Sequence, residues 1–207
     1  MKNRYFFATV LTLVLTACGG GGGGTVSTAD NPLKKYEGTY YVCDRNEKKT
    51  LSIAATGTNS LNIAFSADVY SAANCAGSII GSYRWNSSAS MTYAGATTSN
   101  LPAVTIFPIS DTLDKVTLDV SAMTATLTGS GVSGSCVRYS YVDNGVTSTG
   151  NTCYSLTTAA STATGALYLS SNNQYMVQFA LGNNGVYGAQ LVVSRSPTFN
   201  LNTLIAR

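Results

Sequence analysis

The sequence predicts an all-β body, and three observations carry that expectation. After residue 36 no helical periodicity persists over several turns; short β-rich segments are broken by Gly, Asn, Asp, Ser and Pro; and only 10% of the 207 residues are charged, against about 25% in an ordinary soluble domain. Polarity comes instead from Ser, Thr, Asn, Gly and thirteen tyrosines, residues that favour strands and turns. Residues 33–207 therefore form one antiparallel domain, a meander that closes into a barrel or folds into a sandwich. A body of roughly 175 residues can bury about 70% of its unfolded surface in one core.

Strands are expected at 36–43, 49–55, 60–70, 79–85, 90–94, 103–108, 115–120, 122–128, 135–142, 146–154, 165–170, 174–181 and 187–194. In Tyr175–Leu181 and in Tyr187–Val193 the larger apolar residues fall on odd positions. A register summing to 368 puts Leu181 opposite Tyr187, Phe179 opposite Ala189, Val177 opposite Leu191 and Tyr175 opposite Val193, all on one face. It leaves Asn183-Asn184-Gly185 as a three-residue loop with Gly185 at the left-handed position.

The first seventeen residues read as a secretory signal. Met1-Lys-Asn-Arg-Tyr5 is a short basic region, and Phe6–Leu15 is an apolar run too short to span about 30 Å of hydrocarbon as a helix. At its end Leu15-Thr16-Ala17-Cys18 resembles the lipobox of bacterial lipoproteins at all four positions. The resemblance implies that Cys18 carries a diacylglycerol thioether and, often, an acylated amine, since two or more chains are needed for stable attachment. Six glycines, Gly19–Gly24, follow. Residues 18–32 are thus expected to be a lipidated cysteine and a disordered tether, of root-mean-square reach about 20 Å. Glycine runs of this kind resemble those of surface lipoproteins in Gram-negative bacteria, and Gly19, standing where an Asp would retain the protein at the inner membrane, implies the outer membrane.

Removing the signal peptide takes Lys2 and Arg4 with it and leaves ten basic residues against nine acidic ones, a balance with no nucleic-acid footprint. The oxidising envelope then favours two disulfides among Cys43, Cys75, Cys136 and Cys153. If Asn144-Gly145 is a two-residue turn, paired positions sum to 289, which sets Cys136 opposite Cys153. Cys43 ends the first strand and Cys75 follows the third, so an up-down-up meander brings those two together at one end of the sheet.

The chain contains no histidine and no S-x-x-K, which removes the usual general base, the commonest metal ligand and the Ser-Lys dyad. No metal or other cofactor is expected. Gly129-x-Gly131-x-x-Gly134 matches a phosphate-binding pattern, but a strand follows it where a helix N-terminus would be needed, so it reads as a flexible inter-strand loop. Asp111, Asp114 and Asp119 are the one close group of carboxylates, and Asp111–Lys115 reads as a solvated turn. Lys34, Lys35, Arg45, Lys48 and Lys49 cluster next to the tether, where anionic lipid heads would be, with Glu37, Asp44 and Glu47 interleaved. Among aromatics, Tyr40, Tyr83, Trp85, Tyr139, Tyr141 and Tyr168 are candidates for a stacking surface, though core and sheet positions are the more economical explanation.

Gly38-Thr39-Tyr40 resembles the G-x-W tripeptide on the first strand of lipocalins, with Tyr40 in place of tryptophan. In that family an arginine on the last strand lies across the aromatic ring, and Arg195 stands where it could do so. The resemblance implies a closed antiparallel barrel that holds a small apolar ligand, with Tyr40, Trp85 and Arg195 as the residues to examine. Two function classes follow: a non-catalytic, outer-membrane-anchored module that binds a small molecule, glycan or protein, and a structural lipoprotein whose partner is another envelope component.

Overall fold

The computed structural model describes residues 30–98, 112–143, 146–181 and 187–201; the signal sequence, Cys18, the glycine run, Asp111 and the expected strand 103–108 lie outside them. The described residues form one 3-10 turn, Lys34–Tyr36, and fourteen strands: β1 Gly38–Asp44, β2 Glu47–Thr56, β3 Ser60–Ala72, β4 Ala76–Trp85, β5 Ala89–Thr98, β6 Thr112–Val120, β7 Met123–Thr128, β8 Val132–Ser133, β9 Cys136–Asp143, β10 Val146–Cys153, β11 Thr157–Thr158, β12 Ser161–Leu169, β13 Tyr175–Leu181 and β14 Tyr187–Ser194. Eight of them, β1-β2-β3-β5-β6-β12-β13-β14, pair antiparallel in that order and close on themselves, so the body is a barrel and not a sandwich.

Two insertions interrupt the meander. β3 has thirteen residues, and one edge of it serves two partners in succession: Ser60–Ile63 pair with β5 to close the ring, while Ser66–Ala72 pair with β4. From β4 the sheet continues outward through β7 to β11. Strictly sequential pairing therefore fails at two places, because β4 and β7–β11 leave the ring and build an appendage of their own. Its second layer is the three-stranded sheet β10-β9-β8. The contact between layers is close: a Cβ on Gly81 would run into the Val137 methyl groups, so the absent side chain of Gly81 is the space that the fully buried Val137 occupies.

Inward positions alternate with outward ones along each ring strand. Tyr40 and Val42, Leu51 and Ile53, Leu61 and Ile63, Met91, Val116, Leu167, Met176 and Val193 fill the lumen. The segment before β1 closes the end where that strand starts. Leu33 and Tyr36 are inserted there, and the buried Asn31 amide donates to the carbonyls of Gly57 and Ser60 at the β2–β3 turn. Leu113, Ala166, Val177 and Phe179 make a second buried cluster.

Both disulfides join the expected cysteines. Cys43 and Cys75 bridge with Cα atoms 6.0 Å apart, and Cys136 and Cys153 with Cα atoms 4.0 Å apart. The β9–β10 register keeps the sum 289 through all its pairs, from Asp143↔Val146 to Cys136↔Cys153; the turn residues 144 and 145 lie outside the described residues. In the β13–β14 hairpin Leu181↔Tyr187 and Phe179↔Ala189 pair as expected, and the loop residues 183–185 are again outside the described residues. A bulge between Gln178 and Phe179 then shifts the register by one, so Val177 faces Val192 and not Leu191, and Tyr175 faces Ser194 and not Val193. The shift lets Met176 and Val193 both join the lumen while Val177 and Phe179 stay buried in the second cluster.

Candidate functional site

The residues singled out from the sequence are scattered over several separate places. At the closed end of the barrel Tyr40 is fully buried, and Arg195, just past β14, lies across its ring with the guanidinium carbon 5.0 Å from the centroid. This is the stacking that the lipocalin resemblance implies. Arg195 Nη2 also donates to the Tyr40 hydroxyl at 2.9 Å and to the carbonyls of Lys35 and Glu37 at 3.1 and 2.9 Å. Burial raises the Tyr40 pKa and Arg195 opposes the rise. Gly38, at φ +138°, leaves room for the guanidinium: a Cβ there would sit 3.1 Å from Nη1. These polar contacts are spent on holding the N-terminal segment to the barrel end.

The same end contains Asp114, which is not a solvated turn residue. It lies on β6, is 9% exposed, accepts a hydrogen bond from the Tyr36 hydroxyl and pairs with Lys35 Nζ at 2.7 Å. The Tyr36 hydroxyl also reaches the Leu167 carbonyl at 3.0 Å. Burial first, and then the hydrogen bond to the Asp114 carboxylate, push the Tyr36 pKa far above its ordinary value. The basic cluster divides accordingly: Lys34 and Lys35 stand at this end, whereas Arg45, Lys48 and Lys49 sit at the opposite end of β1.

Trp85 belongs to another place, on β4, where it leans on Phe65 at 5.3 Å; Phe65 in turn meets Tyr83 edge-on at 6.1 Å. Tyr83 stacks on Tyr154 at 4.3 Å and donates to the Ser155 carbonyl at 2.9 Å, while the Tyr154 hydroxyl donates to Glu47 at 2.7 Å. Burial and the Glu47 carboxylate raise the Tyr154 pKa strongly. This aromatic row fastens the appendage to the barrel. Tyr168 packs on the second buried cluster. Tyr139 and Tyr141 lie 6.2 Å apart on β9, and the Tyr139 ring covers Gly150 across the hairpin. The six aromatics thus form no common surface.

Among the described residues the barrel shows no opening of lipocalin size. The gap between β5, β6, β12 and β13 measures about 50 Å³, against about 300–1,000 Å³ for a small-molecule site. A sizeable concavity lies instead on the appendage. This cleft, of about 540 Å³, opens between Ser71 and Ile80 on β3 and β4, the Ser130-Gly131 crossing and the β9–β10 hairpin. Its glycine loop is held to its neighbours by backbone hydrogen bonds, and the short strand β8 follows Gly131 where a phosphate cradle would need a helix N-terminus. Gly131 N–H donates to the Ile80 carbonyl at 2.8 Å, Arg138 N–H donates to the Gly131 carbonyl at 2.9 Å, and Gly129, at φ +134°, passes so close to Ile80 that a Cβ would meet its carbonyl oxygen.

On the outward face of the hairpin Arg138 stands opposite Asn151 and Ser140 opposite Thr149, and all four are exposed and border the cleft. Composition and motif searching miss these residues. The signal that could have found them is the 289 register, which already places those pairs side by side. No protein family, no curated protein and no solved structure matches this chain.

Proposed function

We propose that the chain is exported, lipidated at Cys18 and held at the outer membrane, where its β body acts as a non-catalytic binding module whose contact surface is the appendage. The observation that carries this reading is the division of space: side chains fill the lumen, while the inserted strands and the end of β3 border an open cleft of about 540 Å³ rich in hydroxyl groups. The N-terminal segment adds a direction. It enters the barrel at Asn31, Leu33 and Tyr36, at the end where β1 begins, and the appendage grows from the far half of β3. A tether running from Cys18 to Asp30 then holds the plugged end near the membrane and turns the cleft away from it. The Tyr40–Arg195 pair serves the plug and the Trp85 row serves the attachment of the appendage, so neither is needed for contact with a ligand.

The test of anchoring is replacement of Cys18 by Ala. The variant leaves the detergent phase at cloud point and incorporates no labelled fatty acid, while the parent chain stays in that phase and takes up the label. Equal partitioning of the two proteins would overturn the assignment. The test of the non-catalytic reading is a broad hydrolase panel on the whole chain, where turnover lost on Asp111→Asn or Asp114→Asn, with the variant still folded by circular dichroism, would refute it.

A further inference from the structure

We propose that the appendage cleft binds an acidic saccharide, with Arg138 taking its carboxylate and Asn151, Ser140 and Thr149 its hydroxyls. The proposal deepens the binding reading above and rests on it. Six of the nine cleft residues carry a hydroxyl or a carboxamide, one carries a guanidinium and none carries a carboxylate. Such a lining offers hydrogen-bond partners to a polyol and, through Ile80 and Tyr139, apolar surface to its ring faces. Among the described residues no acidic side chain pairs with Arg138, whereas Arg84 is held by Asp68 at 2.6 Å and Lys35 by Asp114 at 2.7 Å. Arg138 thus borders the cleft with no ion-pair partner among the described residues.

The frame of the cleft is also tied together within the chain. Val137, next to Arg138, is fully buried against Gly81; the Arg138 N–H is held by the Gly131 carbonyl; and the Cys136–Cys153 bridge fixes the hairpin two residues away. Side chains on one face of such a hairpin stand about 5 Å apart across the strands and about 7 Å apart along them, the scale of a sugar ring. A guanidinium on such a frame can hold a carboxylate through two parallel N–H···O bonds, which a lysine cannot reproduce.

The experiment is calorimetric titration of the whole chain, purified with both disulfides formed, against sialyllactose, trigalacturonic acid, neutral lactose and a heparin tetrasaccharide. Binding of a carboxylated sugar at least tenfold tighter than lactose, lost in Arg138→Gln, weakened at least tenfold in Arg138→Lys and unchanged in Lys34→Gln, is the expected result. The two carboxylated sugars separate an animal-type from a plant- or microbe-type source of the same chemistry. Equal binding of lactose, or binding of heparin alone that falls equally with Lys34→Gln, overturns the proposal. So does no binding of any of the four; if the chain then saturates with a defined ligand of another class, the saccharide proposal alone has failed and the binding reading stands. Thiol titration and circular dichroism on each variant show that the hairpin remains formed.

Discussion

Tyr36 shows how one side chain couples the N-terminal segment to the barrel. Its hydroxyl is buried between the Asp114 carboxylate and the Leu167 carbonyl, and burial first, then the carboxylate, favours the protonated phenol. The folded pKa is raised above the ordinary 10.0, so the native state keeps a proton that the unfolded chain loses. The stabilisation is therefore complete below about pH 10 and falls as the pH rises beyond it, by about 1.4 kcal/mol per pH unit for one such group. Denaturant titrations between about pH 9 and 11 should show this decline, and Tyr36→Phe should remove one such contribution, leaving that of Tyr154, while costing about 1–3 kcal/mol at neutral pH through the carboxylate left short of a donor. An unchanged slope would show that the phenol does not control it. At Gly81 the issue is space alone: Gly81→Val drives methyl groups into Val137 and should undock β9 from β4, read as lost amide protection in β8–β10 with the ring strands still protected.

At the scale of elements, the two disulfides have different duties. Cys43–Cys75 ties the end of β1 to the β3–β4 turn across a separation of 32 residues, whereas Cys136–Cys153 spans 17 residues inside one hairpin. Replacing Cys43 and Cys75 by Ser should lower the melting temperature of the whole domain, by a loss of about 3 kcal/mol. Replacing Cys136 and Cys153 should loosen β9 and β10 and leave the barrel transition in place. Calorimetry combined with hydrogen exchange separates these outcomes, and a common loss for both pairs would contradict an independent appendage. The hairpin pairing is legible in the sequence because a turn dipeptide and two cysteines give the same arithmetic. The β13–β14 pairing is legible only as far as the bulge, since nothing in an alternating pattern marks where one extra residue enters. The first half of β12, Ser161–Thr164, is exposed and polar and so gives no strand signal. The division of β3 between β4 and β5 is not legible either: alternation says which face is buried, not which neighbour takes which half of an edge. Asp114 reads as solvated for a related reason, because its burial depends on Tyr36 and Lys35, far away in the chain.

For the whole molecule, the barrel works as a spacer as much as a core. β3 alone covers thirteen residues, about 40 Å at strand rise, and its two ends meet different things: the β2–β3 turn holds Asn31, where the N-terminal segment enters, and the far half carries the appendage. Under the proposed anchoring, this geometry fixes which part of the surface faces outward. The prediction is made with the lipidated chain in vesicles containing a membrane-bound quencher. A fluorophore at Thr58→Cys, in the exposed β2–β3 turn, should be quenched more strongly than one at Val142→Cys, a position 65% exposed near the hairpin tip. Under that anchoring a flexible tether blurs this difference, while the plug, which joins it to one end of the barrel only, keeps that end nearer the lipid on average. Stronger quenching at position 142 would mean that the appendage faces the lipid, and the cleft would then have to be read as a site for a membrane component.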